Sequence, residues 1–257
     1  MPRFFVRKDQ IVDGMVTVTG DDAHHISRSL RMAAGERITV CDMQKNEYEC
    51  ELTAFLSDRV QAKVLSCVPS DTEPPYLVRV YQALPKGDKL DSIIQKSVEC
   101  GASELILFES ERCIARAKDG SEEKKTERRN RIALEAAKQS GRGVIPTVKP
   151  TVSFKEAVAQ AAQADIPLFC YEGDGTQPLA SVLRQAKSAW KKTHTVAGEL
   201  PTVSVVIGSE GGFSQAEAQA ATDAGLYPVG LGKRILRTET AAAFVLACLV
   251  YELELSV

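Results

Sequence analysis

The sequence predicts an α/β protein in two parts: a small N-terminal β-barrel, then a larger domain built on a mostly parallel sheet. Three observations carry that expectation. Residues 1 to about 70 hold short β-type runs broken by turn signals, residues 69–75 form a proline-rich break, and beyond it strands alternate with helices. A length of 257 residues exceeds the usual size of one domain and gives each part enough chain for its own core.

In the first part, the runs 15–19 (MVTVT), 37–40 (RITV) and 60–65 (VQAKVL) read as strands, with turn signals at Asp13-Gly14 and Ala34-Gly35. One helical stretch, 23–32, interrupts them. The segment PSDTEPP at 69–75 can continue neither a helix nor a sheet ladder, so it reads as a linker between domains at 1–70 and 76–257. After it, strands are expected at 77–84, 105–108, 166–171, 203–207 and 227–229. Helices are expected at 122–140, 154–164, 179–191, 215–224 and 239–253. One more follows the first strand, where Leu90, Ile93, Ile94 and Val98 form an apolar stripe at helical spacing. His194 falls in a polar stretch and reads as a surface loop residue.

Composition excludes several classes. An apolar fraction of 44% and a charged fraction of 26% are ordinary globular values. The N-terminal residues show no long apolar run, so no secretory signal is expected. The longest apolar run, 241–251, is about half the roughly 20 residues that cross a bilayer, and reads as a buried helix rather than a membrane span. Seven scattered cysteines without a C-x-x-C pair argue against a disulfide framework or structural zinc and for a reduced cytoplasm. The net charge of −2 conceals an asymmetry: residues 76–150 carry 15 Lys and Arg against 11 Asp and Glu, whereas residues 151–257 carry 8 against 11. A basic middle permits a phosphate-binding face, although the run EEKKTERRNR at 122–131 also reads as a solvated helix face.

Two loops carry the chemical signal. The strand at 203–207 runs into Gly208-Ser209-Glu210-Gly211-Gly212-Phe213, and Ser214 then opens a helix with Glu217 at the capping-box position. Glycines there let a ligand approach bare backbone amides. The loop lacks both G-x-G-x-x-G spacing and the ending of a phosphate loop, so an ordinary glycine-rich turn remains open and a nicotinamide-dependent oxidoreductase is disfavoured. The second loop, 230–242, again lies between a strand and a helix, and Thr238, Glu239 and Thr240 are placed to cap that helix. Two such loops at adjacent strand ends make a crevice, where open α/β sheets bind ligands.

These paired loops, GSEGGF at 208–213 and LGKRILRTETA at 231–241, closely resemble the SPOUT methyltransferases and specifically the RsmE family, which methylates N3 of a uridine in 16S ribosomal RNA. The resemblance extends to Arg3-Phe4-Phe5, to HHISRSLRM at 24–32, to QALPKGDK at 82–89 and to AAKQSGR at 136–142. Ser209 and Lys233 depart from the family, where proline is common. The resemblance implies a deep trefoil knot in the C-terminal SPOUT domain, a PUA-like RNA-binding barrel before it, S-adenosylmethionine as cofactor, no metal, and a homodimer acting on 16S rRNA of the small ribosomal subunit in the cytoplasm. The very apolar run 241–250 is a further reason to expect dimerisation.

By position, the resemblance assigns Gly208, Ser209, Glu210, Gly211 and Gly212 from the first loop to the cofactor cavity. From the second loop it assigns Leu231, Gly232, Ile235, Leu236, Arg237, Thr240 and Ala241. A uridine N3–H is a weak acid, so its proton must be removed or its anion stabilised. Arg142 and Arg237 are the cations expected to favour the anion, and Glu210 and Glu239 the candidate proton acceptors, with Glu210 alternatively bracing its loop. His24, Arg28 and Arg31 on the barrel, with Arg3, Lys86, Arg112 and Arg142, are expected to meet RNA. Two other readings stay open: a related knotted enzyme acting on a ribose 2′-oxygen or a tRNA, and a non-catalytic RNA-binding protein.

Overall fold

The computed structural model describes residues 1–116, 122–193 and 200–256. They form two compact units, residues 1–73 with 137–145, and residues 74–136 with 146–257. His194 lies outside the described residues.

The first unit contains β1 (Arg3–Phe5), β2 (Ile11–Val12), β3 (Met15–Thr19), α1 (Gly20–His24), β4 (Arg37–Cys41), β5 (Asn46–Phe55) and β6 (Arg59–Pro69). They make one six-stranded sheet in the order β1-β4-β5-β6-β3-β2, antiparallel except for the β1/β4 pair. Alternation explains the strands: Val16 and Val18 of β3, and Ile38 and Val40 of β4, point inward and join Phe4, Ile26 and Leu52 in a single core. The helix expected over 23–32 is shorter and less regular. After α1 the chain widens into a π-type turn over His25–Ser29, with the Leu30 amide closing on the His25 carbonyl at 2.9 Å, and Arg31 then takes a left-handed φ of 53°.

The second unit contains β7 (Leu77–Ala83), α2 (Lys89–Glu99), β8 (Glu104–Glu109), β9 (Thr147–Ser153), α4 (Phe154–Ala161), β10 (Ile166–Cys170), β11 (Gln177–Pro178), α5 (Leu179–Thr193), β12 (Thr202–Ile207), α6 (Gln215–Asp223), β13 (Tyr227–Gly230) and α7 (Thr238–Leu249). Helix α3 (Glu122–Gln139) begins in this unit and ends in the first. The seven-stranded sheet runs β11-β13-β10-β12-β7-β8-β9 and is parallel throughout. Its inner strands β8, β10 and β12 are nearly continuous apolar runs, as a sheet covered on both faces requires.

Two strands of this sheet were not read from the sequence, nor were β2 and β5 of the first unit. In β9, Pro150 removes a ladder donor, which argues against a strand; it is accommodated because β9 is an edge strand with a bulge where Ile106 pairs Lys149 and Phe108 pairs Val152. Asn130 of α3 closes part of that edge, exchanging two 2.9 Å hydrogen bonds with the backbone of Val148. The two-residue β11 is the opposite edge and likewise contains a proline. Among the described residues no helix is long and apolar enough to cross a membrane.

Candidate functional site

The carboxyl ends of β10, β12 and β13 open onto a crevice of about 670 Å³, within the usual range for small-molecule sites. Three loops line it. Two are the glycine loops read from the sequence, over 207–213 and 230–238; the third, after β10, contributes Tyr171, Glu172, Gly173 and Thr176. The third loop was missed, although glycines just past a strand end were its signal.

The first loop is shaped by contacts beneath it. Its turn closes through the Gly212 amide on the Ser209 carbonyl at 3.0 Å, with Gly212 at a left-handed φ of 62°. Phe213 anchors it to the sheet, with its ring centroid 4.4 Å from that of Phe169 and stacked over Phe108 at 6.3 Å. Ser214 caps α6 as expected: the Glu217 amide donates to its hydroxyl and its own amide to the Glu217 carboxylate, at 3.3 and 2.9 Å. That carboxylate also accepts the Glu111 amide at 2.7 Å, so one buried glutamate ties the loop after β8 to α6.

Gly211 has a different reason for being glycine from ligand access alone. A Cβ there would stand 2.9 Å from the Arg112 Cβ and 3.0 Å from its carbonyl oxygen, so close packing on that backbone already demands glycine. At Gly232 the cause is conformational, a φ of 103° in open space.

The two loops are joined by a buried hydrogen-bond chain. The Thr238 hydroxyl donates to the Gly208 carbonyl at 2.7 Å and accepts from the Gln82 side-chain amide at 2.9 Å, which also donates to the Ala83 carbonyl. Thr238 therefore does not cap α7; Arg237 holds the N-cap position, without a side-chain cap bond. Neither Gln82 nor Thr238 has a role that sequence spacing would disclose, because each acts across the fold.

Glu210 is firmly held. Its carboxylate accepts the Lys89 ammonium at 2.6 Å and the Lys86 amide at 3.2 Å. Burial works against its charge, but the hydrogen bonds from Lys89 and from backbone amides outweigh that and keep its pKa below the usual carboxylate value. Glu239 is less committed. Its Oε2 is buried with no hydrogen bond among the described residues, 3.9 Å from the Lys89 ammonium; its Oε1 lies 4.0 Å from Arg237, and Glu239 itself does not line the crevice. Burial pushes the Cys170 thiol up to about 12, so it stays neutral at the crevice wall.

Of the cofactor candidates, Gly208, Ser209, Glu210, Gly211, Gly212, Leu231, Gly232, Ile235, Leu236, Arg237 and Ala241 all line the crevice, and Thr240 does not. Ile235 is 84% exposed and the Arg237 side chain 82%, so the rim is open and partly apolar. Arg112 also lines it, while Lys86 is exposed beside the Glu210 carboxylate.

The remaining candidates belong to the first unit. Arg142 is 3% exposed, and its guanidinium donates to both Glu73 carboxylate oxygens at 2.9 and 2.7 Å. Arg3 is occupied by Glu47 at 2.8 and 3.0 Å. His24, Arg28 and Arg31 are exposed and make no ion pair among the described residues. The run 122–131 is helical, with Arg129 buried against Glu122 and Arg128 paired with Asp91. Among the described residues no cluster of three His, Cys, Asp or Glu side chains is placed to hold a metal ion.

A parallel sheet with a loop-built crevice at its strand ends, in a chain that also carries a small β unit, defines an α/β protein with a small-molecule site at the carboxyl edge of its sheet. The family model described as an RNA methyltransferase domain matches residues 72–250, and that described as an RNA methyltransferase PUA domain matches residues 18–65. The chain belongs to the ribosomal RNA small subunit methyltransferase E family. A member from Bacillus subtilis strain 168 is 35% identical over 258 residues, covering 99% of this chain and 98% of its own. The structure of a Neisseria gonorrhoeae member bound to S-adenosyl methionine superposes with a TM-score of 0.80 at 30% identity, covering 97% of both chains. A Legionella pneumophila methyltransferase structure, in complex with the same bound cofactor, gives 0.79 at 25% identity, covering 97% of this chain and 96% of that one.

Proposed function

We propose that this chain uses S-adenosylmethionine to methylate N3 of a uridine in 16S ribosomal RNA of the small subunit. The observation that carries the reading is the crevice formed by the two glycine loops and tied together through Gln82, Thr238 and Gly208, in a chain of this family. The lining fits such a cofactor: glycine backbone for polar edges, Leu231, Ile235 and Leu236 for flat apolar faces, and a volume of about 670 Å³. When bound, the cofactor supplies an electrophilic methyl on a sulfonium that departs as a neutral thioether.

The chain's own task is then positioning and charge control. Glu239, with a weakly held carboxylate at the start of α7, accepts the N3 proton; Arg237, exposed on the crevice rim, stabilises the uridine anion; and Glu210 braces its loop. Arg142, buried against Glu73, serves structure rather than the reaction. His24, Arg28 and Arg31 meet RNA phosphates from the first unit, with Lys86 and Arg112 contributing from the second.

The finer expectations belong to the same proposal. The C-terminal chain forms a deep trefoil knot, supported by α7 packing on α2 and β12 and by the reach of Thr238 to Gly208. The protein works as a cytoplasmic homodimer, supported by the apolar side chains that α7 and the turn after it leave uncovered, with Phe244 half-buried and Ala247, Tyr251 and Leu255 exposed. Nucleoside mass analysis of 16S rRNA from a strain lacking this chain tests the reaction. Loss of 3-methyluridine, restored by the wild-type chain, is expected; an unchanged level with loss of a ribose-methylated nucleoside sinks the N3 assignment.

A further inference from the structure

The charge of the crevice does not suit its proposed cofactor. In a chain of net charge −2, five cations and two carboxylates line this cavity among the described residues. S-adenosylmethionine carries a sulfonium and an ammonium against one carboxylate, so it enters as a cation. The cavity, of about 670 Å³, is on the order of 10 Å across, close to a Debye length at physiological ionic strength, so every lining charge acts on whatever lies inside. The surplus weakens cofactor binding to the free protein and needs another explanation.

Three of the five cations have local partners. Lys89 is bound to Glu210 at 2.6 Å, Arg112 donates to the Gly211 carbonyl at 3.3 Å, and Arg237 lies 4.0 Å from Glu239. Lys233 and Arg234 form no ion pair or hydrogen bond among the described residues. With Ile235 they make a run of three exposed side chains directly after Gly232, at the mouth of the crevice. Glu172, the lining carboxylate not engaged by Lys89, forms no ion pair with them either.

We propose that Lys233 and Arg234 seat two phosphates of the substrate RNA at the mouth of the crevice, and that the RNA thereby offsets the repulsion between the cavity and the cationic cofactor. The proposal rests on the reading of the crevice as an S-adenosylmethionine site given above. RNA and cofactor then favour each other's binding, by the same factor in either order. The coupling follows the charge of the cofactor. The demethylated cofactor is a neutral thioether, so neither the surplus nor the RNA phosphates act strongly on it. The free protein therefore holds the spent cofactor better than the loaded one, and RNA narrows that difference.

The test is equilibrium dialysis at low salt with two ligands that transfer no methyl group, with and without unmodified 16S rRNA. One is S-adenosylhomocysteine, the neutral thioether; the other is sinefungin, which carries an ammonium in place of the sulfonium. In wild type, the RNA tightens sinefungin about threefold and leaves S-adenosylhomocysteine nearly unchanged. In Lys233→Gln/Arg234→Gln, sinefungin binds about threefold tighter than in wild type without RNA, and RNA adds no further gain. The salt slope of RNA binding falls by about 1.5 in the same variant, as expected for two lost phosphate contacts. The charge-conserving swap Lys233→Arg/Arg234→Lys behaves as wild type. An unmoved salt slope in the glutamine variant overturns the proposal, as does an equal effect of RNA on both ligands in wild type. A swap that behaves as the glutamine variant also overturns it, because shape rather than charge is then at work. Wild-type protein that binds neither ligand defeats the cofactor reading instead, and the salt slope still decides the phosphate seat.

Discussion

Gly211 and Ser209 sit in one turn and place opposite demands on it. At Gly211 any Cβ meets the Arg112 backbone within about 3 Å, so Gly211→Ala must displace either the loop or the chain after β8. At Ser209 the hydroxyl is buried and has no hydrogen-bond partner among the described residues, a cost that removing the hydroxyl relieves. Differential scanning calorimetry is expected to show Gly211→Ala lowering Tm by several degrees, and Ser209→Ala leaving it unchanged or raising it by a degree or two. A Ser209→Ala variant as destabilised as Gly211→Ala contradicts this account of the turn. The same pair shows how far a residue type can be read. The glycine was visible in the sequence, but the atom it makes room for, a carbonyl 99 positions away, was not. Arg142 teaches the same lesson: an arginine in a family-like segment shows its charge, and only the fold shows Glu73 already holding it.

Among the elements, those whose stabilising contacts are local were legible and those fixed by distant partners were not. The capping box at Ser214 and Glu217 and the apolar stripe of α2 are written within a few residues, and both formed. Strand β9 depends on being an edge with a bulge, and Pro150 concealed it. The segment after α1 looked like a helix because its residues suit one, yet the Leu30 amide closes on His25 and the regular ladder ends. Within α6, Glu217 does more than cap, since it also accepts the Glu111 amide at 2.7 Å. Glu217→Ala therefore leaves unpaired donors both at the helix start and in the loop after β8. A loss of about 2–3 kcal/mol in urea denaturation is expected, against about 1 for an ordinary cap. A loss no greater than that of Ser214→Ala shows that the tether to Glu111 contributes nothing.

At the scale of the whole molecule, the proline-rich segment at 69–75 marked a change of rhythm, but compactness does not follow the chain in order, because residues 137–145 pack with residues 1–73. No pattern of alternation or turn residues encodes such a return, since it is made by side chains that meet only after folding. The returning stretch brings Arg142 to Glu73, and Glu73 also accepts the amides of Gly143 and Val144 at 3.0 and 3.3 Å. Lys138 pairs with Asp22 at 2.8 Å and lies over the Phe4 ring. Without this stretch Glu73 loses its donors and the first unit loses part of the cover over its core. Removing one partner of a buried ion pair costs about 3–5 kcal/mol, a large share of the stability of a unit this small. A polypeptide of residues 1–75 alone is therefore expected to melt far below the same unit in the full chain, or without a cooperative transition by circular dichroism. Joining residues 137–145 to it through a flexible linker is expected to restore the transition, and Arg142→Met in that joined chain to abolish most of the gain. A fragment 1–75 as stable by itself as with the returning stretch attached shows that the first unit is self-sufficient and that the Arg142 pair is ornamental to its folding.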